Sequence, residues 1–187
     1  MDGTELDNFE PVARIIVIGV GGAGNNAVNR MIDENISAIE FYVANTDKQA
    51  LSTSKARNRL VLGNDSYKGL GAGGDPAVGE SAALQSENEI RDIVRGADMV
   101  FIAAGMGGGT GTGASPVIAR IAREEGALTV AIVTRPFGFE GKKRISQSVE
   151  GLSKLKENVD AIIVVSNDKL LMMNGQCSVQ NAFAEAD

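Results

Sequence analysis

A three-layer α/β fold, a doubly wound and mainly parallel sheet with helices on both faces, is what this sequence predicts. Three observations carry that reading. Largely apolar runs, suited to strands buried on both faces, recur at 15–18, 39–44, 99–104, 128–133 and 161–165. Stretches with helical periodicity lie between them, so strand and helix alternate. Three glycine-rich turns, at 19–24, 69–74 and 105–113, punctuate the alternation.

Residues 1–12 are polar, acidic and aperiodic, and read as a flexible N-terminal arm. A single domain then extends over 13–177. Its first strand, 15–18, runs into Gly19, Gly21 and Gly24, which fit G-x-G-x-x-G, and a helix follows over 25–32. The strand 39–44 ends at Asn45, Thr46 and Asp47, polar residues suited to capping a helix that starts at Lys48. Leu60–Leu62 is a short strand, and Pro76 suits the first turn of a helix spanning 77–94, with Ser86 and Glu89 as a capping box where it breaks in two. Val117, Ile118, Ile121 and Ala122 mark a helix over 115–125, stopped by Gly126. After the strand 128–133, Ile145, Val149, Leu152 and Val159 form one more helical stripe before the last strand. Residues 178–187 begin another amphipathic helix, with Val179, Ala182, Phe183 and Ala186 at i, i+3, i+4, i+7, and read as a longer helix cut off at Asp187.

The chemistry is concentrated in GMGGGTGTGA at 105–114. Residues without a Cβ let successive backbone N–H groups turn toward one point, and the next helix adds its unpaired N–H groups and positive dipole end. Strand, glycine turn, helix is an anion cradle, to which Thr110 and Thr112 add hydroxyl donors. In a doubly wound sheet, the turns at the strands' carboxyl ends converge on one crevice. The pattern GxxxxGK[ST] is absent, so an ordinary P-loop is not on offer.

Composition excludes several alternatives. The chain lacks histidine and has Cys177 as its single cysteine, which rules out a histidine zinc site, a Ser-His-Asp triad, a Cys-His dyad and a disulfide framework within it. A net charge of -6 argues against a nonspecific grip on nucleic acid or an anionic membrane. No run approaches a membrane span and residues 1–10 are acidic, so the expectation is a cytoplasmic protein without direct membrane insertion.

GGGTGTG at 107–113 resembles the signature of the tubulin and FtsZ superfamily. GVGGAGNNAVNRM at 19–31, NTD at 45–47, GAGGDP at 71–76 and TRPFGFEGKKR at 134–144 are similar to the nucleotide loops of its bacterial cell-division branch, in the same order. The resemblance covers nearly the whole chain from Arg14 and implies a Rossmann-like GTP-binding domain. It implies that Gly21, Gly22, Gly107, Gly108, Gly109, Thr110 and Gly111 hold the phosphates, with Glu140, Arg144 and Pro136 at the ribose and α-phosphate. Asn26, Asn167 and Asp187 would read guanine and Phe183 would stack on it. Donor and acceptor chemistry agrees with those last roles. Each also has a plain structural reading: Phe183 as core, Asp187 as solvated surface, Asn167 as a helix cap, Glu140–Arg144 as an exposed i, i+4 pair.

The resemblance further implies GTP or GDP with Mg²⁺ as cofactors, although the sequence names no direct metal ligand. It implies head-to-tail filaments of the protein with itself at the division site, and division-associated partners recruited through a C-terminal region. The superfamily completes its catalytic site with an acidic loop, NxDxxD, contributed by the neighbouring subunit. That pattern does not occur in residues 1–187, so no catalytic residue is expected in this chain and hydrolysis by it alone should be poor. Two other readings stay open here. One is an NAD-dependent dehydrogenase using Gly19–Gly24 with Asp47 on the ribose, which leaves the Gly105 turn without a role. The other is a sensor that binds GTP without hydrolysing it.

Overall fold

The computed structural model describes residues 12–63 and 68–166. Its strands are β1 (Ile15–Val20), β2 (Ile39–Asn45), β3 (Asn58–Val61), β4 (Met99–Gly105), β5 (Leu128–Arg135) and β6 (Ala161–Ser166). They form one sheet of order β3-β2-β1-β4-β5-β6, with every pairing parallel. The expected α/β architecture is therefore present. β1 pairs with both β2 and β4, so the strand order reverses between β1 and β4 and a crevice opens at their carboxyl ends.

The helices are α1 (Gly21–Asp33), α2 (Lys48–Ser52), α3 (Pro76–Gln85), α4 (Glu87–Val94), α5 (Thr110–Glu124) and α6 (Lys142–Glu157). On one face, Ile16, Ile18, Val100, Ile102, Ala131 and Val133 pack against α3, α4, α5 and α6 in the larger core. On the other, Val17 and Val43 meet Val28 of α1 and Leu51 of α2. The described helices leave that second face open at β5 and β6, where Ile163 is 54% exposed.

Several elements differ from expectation for identifiable reasons. α5 begins at Thr110, so the second half of the glycine stretch is helix rather than loop. Glycine is required there by packing: a Cβ on Gly113 would lie 2.0 Å from the Pro76 carbonyl oxygen, and one on Gly111 2.6 Å from that of Gly105. α1 likewise starts at Gly21, four residues early. The chain does break at Ser86, but its hydroxyl makes no cap; it accepts from the Gly63 N–H at 2.9 Å. The α6 stripe is turned from its expected phase, since Ile145 and Val149 are exposed while Ser148, Gly151, Leu152 and Leu155 face inward. Small residues win those positions because α6 presses on α5: a Cβ on Gly151 would sit 2.2 Å from Thr112 Cγ2.

Candidate phosphate-binding site

β1 and β4 deliver their glycine turns side by side. A Cβ on Gly21, whose φ is +74°, would lie 3.0 Å from the Gly111 nitrogen, so the two backbones are in contact. The second turn, 69–74, abuts the third: a Cβ on Gly109 would meet Ala72 Cβ at 2.7 Å and Asp75 N at 2.9 Å. Beneath these turns, buried Asn25 donates to Gly19 O at 2.9 Å and accepts from Asn45 Nδ2 at 3.1 Å, tying α1 to the ends of β1 and β2.

Between the first and third turns lies a cavity of about 260 Å³. Gly21, Gly22, Gly108, Gly109, Thr110, Gly111, Pro136, Glu140 and Arg144 line it, nine residues singled out in the sequence. Val20, Ala23, Gly105, Met106 and Thr134 complete the lining; they lie within the motifs read from the sequence but were not assigned a role of their own. Gly107 stands just behind the wall at φ +110°, where a Cβ would lie 2.9 Å from Arg144 O. Asn26 is exposed on α1, one helical turn beyond Gly22 and outside the lining. Asn167, Phe183 and Asp187 lie outside the described residues.

Helix ends supply the field of the cavity. α2 and α3 are capped by carboxylates: Asp47 accepts from Gln49 N and Ala50 N, and Asp75 from Ala77 N. α1 and α5, whose first residues line the cavity, have Val20 and Gly109 at their N-cap positions and no side-chain cap. Their leading N–H groups and positive dipole ends are thus turned on one space, which suits an anion. Arg144 adds a fixed cation; its guanidinium would stand 3.8 Å from a Cβ on Gly108 and pairs with Glu140 at 3.3 Å. Glu140 also accepts from the Phe137 N–H, which fixes the turn before α6.

Two expectations change here. Thr112 lies outside the cavity lining: its buried hydroxyl accepts from the Gly107 N–H at 2.8 Å and shapes the turn. Asp47 caps α2 and is not part of the cavity lining, so it does not stand at the cavity as the acidic ribose contact that a dehydrogenase reading would need.

An all-parallel sheet with two uncapped helix starts facing a glycine-walled cavity at its switch point defines a Rossmann-like α/β domain whose crevice suits an anion. Residues 14–175 match the GTPase-domain model of the Tubulin/FtsZ family, and the chain belongs to that family. Among solved structures, an empty FtsZ dimer from M. jannaschii is 45% identical with a TM-score of 0.90, over 93% of this chain and 51% of that one. A GDP-bound monomer of CetZ1 from Haloferax volcanii is 25% identical with a TM-score of 0.81, over 92% and 56% of the respective chains. CetZ2 from Haloferax volcanii, a GTPγS-bound protofilament, shares the fold at 24% identity and a TM-score of 0.80, over 92% and 54%. The chain spans about half the length of the structures it matches.

Proposed function

We propose that this chain is the GTP-binding half of a filament-forming cell-division GTPase that hydrolyses GTP on head-to-tail assembly. The observation that carries the reading is the cavity at the β1/β4 switch point, where α1 and α5 both start without a side-chain cap. The phosphates of GTP or GDP would lie against the N–H groups of Gly21, Gly22 and Gly108 to Gly111, with Thr110 donating and Gly107 shaping the turn behind them. Pro136, Glu140 and Arg144 flank the ribose and α-phosphate side. Asn26, Asn167, Asp187 and Phe183 are assigned to guanine. The GDP in the CetZ1 structure, at 25% identity, supports the choice of nucleotide.

Mg²⁺ bound with the nucleotide would offset phosphate charge in the reaction. Among the described residues no three histidine, cysteine or acidic side chains gather, so phosphate oxygens and water would be its main ligands. The protein's part is to hold the phosphates in place, since phosphoryl transfer to water depends on positioning and charge stabilisation. By the resemblance to the superfamily, the carboxylates that orient the attacking water would come from the NxDxxD loop of a neighbouring subunit; residues 1–187 contain no such pattern. Turnover thus belongs to the filament, in the cytoplasm at the division site, with division-associated partners binding outside these residues. No described helix is long and apolar enough to cross a membrane.

Acid extraction of the purified chain followed by chromatography should release GDP or GTP, and titration should favour GDP over ADP. Recovery of NAD, or equal affinity for the two diphosphates, would refute the assignment. Phosphate release from GTP should be slow with the chain alone and should rise when a separate half carrying NxDxxD is added. Brisk hydrolysis by the chain alone would put the catalytic groups within 1–187 and overturn the division of labour.

A further inference from the structure

The loop after β2 is fastened on two sides. Its Thr46 carbonyl accepts from the Gly71 N–H at 3.2 Å, Lys48 N–H donates to Gly69 O at 3.0 Å, and Asp47 bridges Leu70, so its backbone is joined to the second glycine turn. The Thr46 side chain reaches the third turn instead: its Oγ1 lies 2.7 Å from Thr110 Oγ1. Thr46 is fully buried, whereas Thr110, at 9% exposure, lines the cavity.

A hydroxyl carries one proton, so in this pair one oxygen donates and the other accepts. Were Thr110 the donor, the Thr46 proton would be left in the interior with no acceptor among the described residues, at the full cost of a desolvated, unmade bond. Thr46 therefore donates and Thr110 accepts. The Thr110 proton is then free to point into the cavity. A hydroxyl held this way offers a donor to its ligand, which matches an oxyanion, an acceptor with no proton of its own to place. Accepting from Thr46 also polarises the Thr110 O–H and strengthens the bond it donates.

We propose that Thr46 is a positioning residue: its buried hydroxyl holds Thr110 in the orientation that donates to a phosphate oxygen of the nucleotide, and its carbonyl couples that contact to the Gly69–Gly71 turn. The proposal rests on the phosphate reading of the cavity given above. A structural role for Thr46 alone would lower stability; the positioning role also requires that its effect on binding vanish when the Thr110 hydroxyl is gone.

The test uses the 187-residue chain and its T46V, T46S, T110V and T46V/T110V variants, titrated with GDP and with inorganic pyrophosphate as a probe without a base, each checked by thermal melting. T46V should weaken both ligands by about 3- to 10-fold, the range for losing one hydrogen bond. T46S should return both affinities to within about twofold of wild type. In the double variant, T46V should add nothing to the loss caused by T110V. Thr46→Ala replaces T46V if the methyl that stands in for the hydroxyl prevents folding. Unchanged affinity in T46V, or losses that multiply in the double variant, would overturn the positioning role while leaving the phosphate site standing. Wild-type protein that binds neither GDP nor pyrophosphate would overturn the phosphate reading, and this proposal with it.

Discussion

The glycines packed inside α1 and α5 and those facing the cavity are alike in the sequence and opposite in the structure. Inside the helices, protein backbone occupies the place of the missing side chain: a Cβ on Gly24 would come within 2.2 Å of Ala103 O, and one on Gly113 within 2.0 Å of Pro76 O. At the cavity, a Cβ on Gly22 would meet nothing within 4 Å, and one on Gly108 only the tip of Arg144 at 3.8 Å. Neither of these two has the positive φ that disfavours a side chain. Nothing in the protein itself asks for glycine at 22 or 108, so a Cβ added there would be met first by whatever enters the space in front of them.

The sharpest break of this contrast is Gly113→Ala. Overpacking against a carbonyl should cost about 3 kcal/mol and lower Tm by roughly 10 °C, or stop folding, as a melting curve would show. Gly108→Ala should do the reverse, keeping Tm unchanged or slightly raised while GDP affinity falls at least about tenfold by calorimetry. A Gly108→Ala protein that binds GDP normally would mean that no phosphate lies against this backbone. Gly22→Ala, in the first turn of α1, should gain up to about 1 kcal/mol from helix propensity and lose affinity as well, which a paired melt and titration would reveal.

The smallest effect belongs to the far end of α5, away from the cavity. There Arg91 pairs with Glu124 and Glu125, each at 2.8 Å, and Arg120 pairs with Glu124 at 2.9 Å. Hydrogen bonds from Arg91, then Arg120, hold the Glu124 carboxyl below the usual glutamate range. Its stabilisation is therefore complete above the ordinary glutamate pKa and is lost as pH falls through the lowered folded value. Arg91→Ala should flatten that acid limb of the melting curve slightly and leave GDP affinity untouched. A change in affinity would show that the two ends of α5 are coupled.

Strands and turns were legible because β-branched runs and glycine clusters report directly on burial and backbone freedom. Asp47 was read as a cap from its place between strand and helix, and the structure agrees. Helix starts were less legible: TGTGA has poor helix propensity, and only its tertiary neighbours, Pro76 and Gly105, show why those residues are small. The inward face of α6 was misread for the same reason, since Ser148 and Gly151 face α5 while apolar Ile145 and Val149 do not. Most of the cavity wall was recognisable because it follows strand ends. The Thr46–Thr110 contact was not, because it joins residues 64 positions apart that share no pattern.

The strand order carries a consequence for how the molecule assembles. β1 can pair early with its near neighbour β2, where Ile15 faces Ile39, but its pairing with β4 sets Ile15 against Met99 and must wait for a long loop to close. The two uncapped helix starts oppose each other only once that late pairing is made. A nucleotide therefore has no site to grip on the partly folded chain. In stopped-flow kinetics it should slow the unfolding limb of the chevron and leave the folding limb where it is, acting as a latch on the finished sheet rather than a template for it.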